Sequence, residues 1–256
     1  MRIAVAGAGL AALLLSASAS AQHVRRRFDP DDLEFESVHT LHADLGFGVV
    51  RGESGGRWLA PDFDVDYGLA PNVELGIDGA WAIEGTEARL FAFDHRAPDN
   101  LWLSSKVGLW GTHDEAQSAG WALGAQLGPR VGIAPGSHGA GFQSLLLMGR
   151  RVQRFHAVLN LGALVDPEGD DHDRPRAVLT GLDAALDLDD ESVWSLTADV
   201  SGVFFWSSDR NQLGSSLGVV CSVTRWLDVG ALGLVGFLRG GDQWGAVMTL
   251  SPKLGL

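Results

Sequence analysis

The chain has 256 residues, with 19 lysines and arginines against 32 aspartates and glutamates, for a formal net charge of −13 at pH 7. So acidic a chain, whose longest basic run is Arg25-Arg26-Arg27, argues against a nucleic-acid partner. Its single cysteine, Cys221, cannot form an intramolecular disulfide, so stability must come from a large core or from a membrane.

The first element lies at the N-terminus. Arg2 precedes an apolar stretch over 3–15, and SASASA follows, ending at Ala21. A basic start, a short apolar run and small residues at its end predict a cleaved secretory signal peptide over 1–21. The run is shorter than the roughly 20 residues a membrane-spanning helix requires. Residues 22–35, beginning QHVRRRFDPDD, read as a flexible leader.

From residue 36 onward the hydrophobic period is two, which places successive side chains on opposite faces of a strand. Leu41, Ala43, Leu45, Phe47 and Val49 share one face of a first strand. Over 58–69, Leu59, Pro61, Phe63, Val65, Tyr67 and Leu69 oppose Ala60, Asp62, Asp64, Asp66 and Gly68. After a turn at 70–72, Val73, Leu75, Ile77, Gly79, Trp81 and Ile83 oppose Glu74, Gly76, Asp78, Ala80 and Ala82, which makes a hairpin. The alternation returns over 101–109 and 121–133. Over 142–150 the run SLLLMG is apolar on both sides and its faces stay ambiguous. Further strands follow over 155–165, 178–188, 193–205, 213–223, 227–237 and 244–256. That gives about twelve strands of roughly ten residues, with ten as the alternative count, each long enough to cross a bilayer when tilted.

Connections alternate in length. Short turns are expected at 70–72, 150–154, 189–192 and 224–226, with a longer link at 111–119. The other end carries 51–57, 84–100, 134–141, 166–176, 207–212 and 239–243. A soluble barrel would show the same alternation inside out, and three features favour lipid. The polar face is rich in Gly, Ala and Ser with sparse charges, whereas a soluble exterior carries more Lys and Glu. Aromatic residues recur near strand ends (Trp58, Trp81, Trp121, Phe155, Trp194, Trp226, Phe237, Trp244), as interfacial girdles require. The chain also ends within an apolar-faced strand at Leu256. The fold class expected is therefore all-β: an antiparallel up-and-down transmembrane β-barrel over 36–256, in the outer membrane of a Gram-negative cell, with 22–35 as a periplasmic leader.

The segments NVELGIDGAW (72–81), NLWLSSKVGLW (100–110), ALGAQLGPRVGIAP (122–135), HAVLNLGALVDP (156–167) and VTRWLDVGALGLVGF (223–237) carry a family likeness. On these the chain resembles the outer-membrane β-barrel family of the MetA pathway of phenol degradation, also described as transporters. The resemblance implies a barrel acting as a channel for hydrophobic small molecules, and it brings no catalytic residues.

Asp62, Asp64, Asp66, Glu74, Asp78, Lys106, Arg130, His156 and Asn160 are the candidate lumen-lining residues. The crowded carboxylates read either as a cation-attracting wall or as a ladder paired with Lys106 and Arg130 that fills a narrow barrel. Mutual repulsion of unpaired carboxylates favours the second. The loop DPEGDDHDRPR lacks EF-hand spacing, and His39 and His42 fall on opposite faces, so no metal site is expected. Neither is a cofactor. Ser137-His138 lacks a recognisable third partner, so no catalytic site is expected. Cys221 falls on the apolar face. The partners expected are outer-membrane lipid, lipopolysaccharide and a small-molecule permeant. The functions to weigh are a passive channel or transporter for small hydrophobic or aromatic molecules, and a non-conducting structural or assembly barrel. In the second the leader crosses the lumen as a plug or reaches a partner.

Overall fold

The computed structural model describes residues 27–52, 55–84, 95–111, 119–170, 172–206 and 211–256. The expected signal peptide and residues 22–26 lie outside the described residues. The strands are β1 (Thr40–Gly52), β2 (Gly55–Ala70), β3 (Val73–Glu84), β4 (His95–Pro98), β5 (Leu101–Trp110), β6 (Ala119–Val131), β7 (Ala140–Val152), β8 (Phe155–Val165), β9 (Arg176–Asp187), β10 (Trp194–Phe205), β11 (Gln212–Thr224), β12 (Leu227–Gly236) and β13 (Trp244–Gly255). Among the described residues no helix is long and apolar enough to cross a membrane.

Neighbouring strands pair antiparallel around a closed ring. β1 meets β13 from Thr40 opposite Gly255 to Arg51 opposite Trp244, which closes the sheet. β4 pairs with the outer part of β3, from Trp81 to Glu84, and β5 pairs with its lower part, from Val73 to Asp78. β4 and β5 thus share one place, and the barrel has twelve strands. Closure removes the unpaired edge that an open sheet could not carry into lipid.

The short turns gather at the end that holds Leu256, which is the periplasmic end in barrels of this class. Facing outward are Leu75, Leu103, Leu127, Leu146, Leu161, Leu182, Leu217 and Met248, all exposed. So continuous an apolar belt exceeds what a water-facing surface tolerates and identifies a lipid face. Exposed Trp110, Trp121, Phe155, Trp194 and Trp226 ring its periplasmic edge, while Phe142, Trp206, Phe237 and Trp244 ring the outer edge. Aromatic rings favour these depths because one end of the ring system is apolar and the other is wet.

Two face assignments are decided here. In the ambiguous run of β7, Leu146 is 47% exposed whereas Leu147 is 0% exposed, so Leu145 and Leu147 point into the lumen. Leu59 differs from the sequence expectation. Gly48 pairs with Leu59 and Gly46 with Asp62, so β2 carries one extra residue there. This bulge resets the alternation and turns Leu59 inward, against Val50, Leu234 and Val247.

The occupied lumen

Of the expected leader, residues 27–35 are described. Residues 27–37 run inside the barrel, from Arg27 and Phe28 in the outer half to Ser37 at the periplasmic mouth. The physical reason is complementarity: Arg27, Phe28, Asp31, Glu34 and Glu36 each meet a counterpart on the wall.

At the outer end, Arg27 donates to Asp199 and, through Nε, to Ser201 Oγ at 3.1 Å, both on β10. Phe28 is buried among Trp102 of β5, Leu145 and Leu147 of β7, Val158 and Leu164 of β8, Leu179 of β9 and Phe205 of β10. Of the two buried apolar clusters among the described residues, the larger therefore lies in the lumen and is completed by a leader residue. Burying one phenylalanine side chain stabilises by about 1.5–3 kcal/mol.

Midway, Asn160 of β8 acts as a short piece of strand. Its Oδ1 accepts from the Asp31 amide at 3.0 Å and its Nδ2 donates to the Asp31 carbonyl at 2.9 Å. Both polar groups of one leader peptide position are thus satisfied in the interior, where an unpaired one costs free energy. Opposite, Lys106 of β5 lies 2.8 Å from Glu74 of β3, 3.1 Å from Asp31 and 3.8 Å from Asp32. The other Glu74 oxygen accepts from the Glu36 amide at 2.8 Å. A lysine this deeply buried must be paired. Here the wall supplies one carboxylate and the leader two.

Toward the mouth, Arg151 of β7 donates to Glu34 at 2.9 Å. Glu36 sits 2.8 Å from His42 Nδ1 and 3.6 Å from Lys253. The chain needs room along this path, and glycine supplies it. A Cβ on Gly181 would stand 2.6 Å from Pro30, and one on Gly124 would stand 2.6 Å from Leu33.

The nine sequence-selected residues fall into separate groups. Glu74, Lys106 and Asn160 converge on the leader as described, and all three are buried. Asp64 stands in register with Asp44 on one side and Asp78 on the other. Asp62 pairs in register with Gly46 and Ala80, and Asp66 with His42 and Gly76. Arg130 of β6 donates to Asp166 at 2.9 Å and to Gln143 at 2.9 Å. His156 lines the periplasmic mouth. Phe28, Asp31, Glu34 and Glu36 are not among these nine, and the sequence placed the leader in the lumen only as one of two alternatives. The alternation of acidic and apolar groups in DPDDLEFE was their available signal.

Space inside is uneven. A cavity of about 1100 Å³ opens at the periplasmic mouth, lined by leader residues such as Leu33 and Phe35 and by wall residues such as Arg151 and Lys253. Beside Phe28 only about 60 Å³ remains, room for a few waters. Two outer connections also clasp each other above the wall. His138 and Glu168 exchange backbone hydrogen bonds of 2.7 and 3.1 Å, and His138 Nε2 lies 3.0 Å from Asp170. Glu168 is held below the usual carboxylate range by His172 Nδ1 at 2.7 Å, with Arg174 adding to the effect.

Among solved structures the chain is similar to the NanC porin, with a TM-score of 0.56 at 7% identity, covering 84% of this chain and 100% of that one. The fold is that of an outer-membrane β-barrel. The barrel is also similar to the CymD monoaromatic hydrocarbon channel, at a TM-score of 0.45 and 9% identity over 86% of this chain and 89% of that one. For outer membrane phospholipase A from Escherichia coli the values are 0.46 and 11% over 83% and 89%. No family model matches the barrel, and no curated protein does. The family name suggested by its strand motifs thus gains no support from these comparisons.

Proposed function

We propose that the protein is a gated outer-membrane channel for small molecules with an apolar or aromatic body, held closed by its own leader. The observation that carries this reading is the seat of Phe28. The lumen wall is built of glycine, small polar residues and paired charges, with a smaller apolar patch at Val50, Leu59, Leu234 and Val247 and a larger one around Phe28, where Trp102, Leu145, Leu147, Leu164, Leu179 and Phe205 form an apolar ring. A lumen intended only to hold water has no use for such a ring, and a lumen filled permanently could be filled from the wall itself. Displacing the leader leaves a passage with an apolar station in its outer half. The leader is bound by non-covalent contacts alone, so its release requires no bond to break. The apolar belt then faces outer-membrane lipid and lipopolysaccharide, and export runs through the signal peptide over 1–21. Catalysis forms no part of the proposal.

A permanently plugged structural barrel is the second reading, favoured by the density of contacts at Asp31. Conductance separates the two. The refolded mature chain is expected to pass little current in planar bilayers, and deletion of residues 22–35 is expected to open a steady conductance and uptake of small aromatics into liposomes. A deleted barrel that folds, shown by heat-dependent gel mobility, yet passes nothing would leave the structural reading standing.

A further inference from the structure

We infer that the periplasmic mouth is a binding site for a small organic anion with an apolar body, and that such a ligand competes there with the leader's own carboxylate Glu34. The argument starts from charge. The chain as a whole carries −13, yet the cavity of about 1100 Å³ at this mouth is lined by Arg151, Lys253, Arg225 and His156. Two carboxylates face them, both from the leader. Glu34 pairs with Arg151 at 2.9 Å, and Glu36 is shared between His42 and Lys253. Arg225 has no ion pair among the described residues. On the adjoining turn Asp190 is committed to Arg154 and Asp189 to the amides of Glu191, Val193 and Trp194, while the exposed Glu191 is not among the residues that line the cavity. The mouth is therefore a cationic pocket in an acidic protein, neutralised in part by a detachable segment.

The apolar half of the ligand follows from the remaining lining. Leu33, Phe35, Trp226 and Val158 share the cavity with these cations. A guanidinium beside aromatic and aliphatic surface suits a carboxylate borne on a ring: the fork grips the oxygens, and the ring buries apolar area. Glu34 is the least buried of the two leader carboxylates, with a side chain 58% exposed. It is therefore the one an incoming anion displaces at lowest cost.

The test uses the full mature chain in zwitterionic nanodiscs with three probes of one shape: phenylacetate, 2-phenylethanol and phenethylammonium. Titration calorimetry, with empty nanodiscs subtracted, is expected to show saturable binding of phenylacetate alone. Arg225→Gln and Arg151→Gln should each weaken it about tenfold, the size of one lost charge-assisted hydrogen bond. Glu34→Gln should strengthen it several-fold, because the competitor is gone. A merely structural role for Glu34 would not produce that gain. Equal binding of all three probes, or affinity unmoved by both arginine variants, would overturn the inference. Binding is read without flux, so a barrel that binds phenylacetate but never conducts would sink the channel reading and leave this site intact.

Discussion

Phe28→Ala tests the plug at its apolar anchor. Phe28 is 9% exposed and touches a cluster in which Leu147 is wholly buried. Truncating a phenylalanine in so closed a setting typically costs 3–5 kcal/mol, part of it transfer and part of it the cavity left behind. The wall strands keep their pairing, so this loss falls on the seated state of the leader relative to the released one. Taking about 3 kcal/mol shifts the released-to-seated ratio by roughly a hundredfold. Single-channel recording in planar bilayers reads that ratio as open probability. The wild-type chain should show rare openings, the alanine variant openings about a hundred times more frequent, and the 22–35 deletion a steady conductance of the same unit size. The reasoning fails if the variant opens no more often than wild type while the deletion conducts freely. The polar contacts at Asp31 and Arg27 would then hold the leader, and the apolar ring would be incidental to gating.

Other perturbations probe neighbouring features. Gly181→Val places side-chain carbons where Pro30 lies; valine suits a strand, so gel mobility should stay barrel-like while open probability rises. Lys106→Met leaves Glu74, Asp31 and Asp32 facing one another without a cation. Removing one partner of a buried ion pair costs about 3–5 kcal/mol, which urea unfolding of the refolded barrel should register. Leu146→Arg puts a charge on the lipid face near the middle of β7 and should cost about 2–4 kcal/mol of folding stability in bilayers. For pH, Asp189 is held below the usual carboxylate range by the Val193 amide foremost, then those of Trp194 and Glu191. A depressed folded-state pKa gives stabilisation that is complete above the unfolded value near ~3.9 and lost as pH falls through the folded one. Hydrogen exchange at the Val193 and Trp194 amides should accordingly accelerate below that range, and unchanged protection down to pH 2 would remove Asp189 as the clasp of this turn.

The wall was legible in the sequence because its rule is local. A period of two separates lipid face from lumen face residue by residue, and strand length together with turn spacing yields the strand number. The local rule breaks at Leu59, where one inserted residue in β2 reverses the faces on either side of the bulge. Pro61, a residue that strands accept mainly at edges and bulges, was the available sign of that insertion, which shows in the pairing of β2 with both β1 and β3. Arg130 shows a second limit. Its parity places it on the polar face, but parity does not name its partners, and the fold supplies Asp166 and Gln143.

What fills the lumen obeys no periodicity. Leu145 and Leu147 looked anomalous beside Leu146 and Met148 because a polar-lumen rule has no place for inward leucines. They become intelligible once Phe28 is seated against them, and the same holds for Lys106. One wall carboxylate, Glu74, cannot settle that ammonium at 4% exposure, and Asp31 and Asp32 arrive from a segment about seventy residues earlier in the chain. Inward apolar residues and an under-paired inward lysine are thus two expressions of one fact, that the wall was built around an occupant. In a barrel whose outer face is fixed by lipid, inward apolar residues mark where the lumen is filled: those on β5, β7, β8, β9 and β10 form the cluster that Phe28 completes, whereas Val50, Leu59, Leu234 and Val247, on β1, β2, β12 and β13, pack against one another.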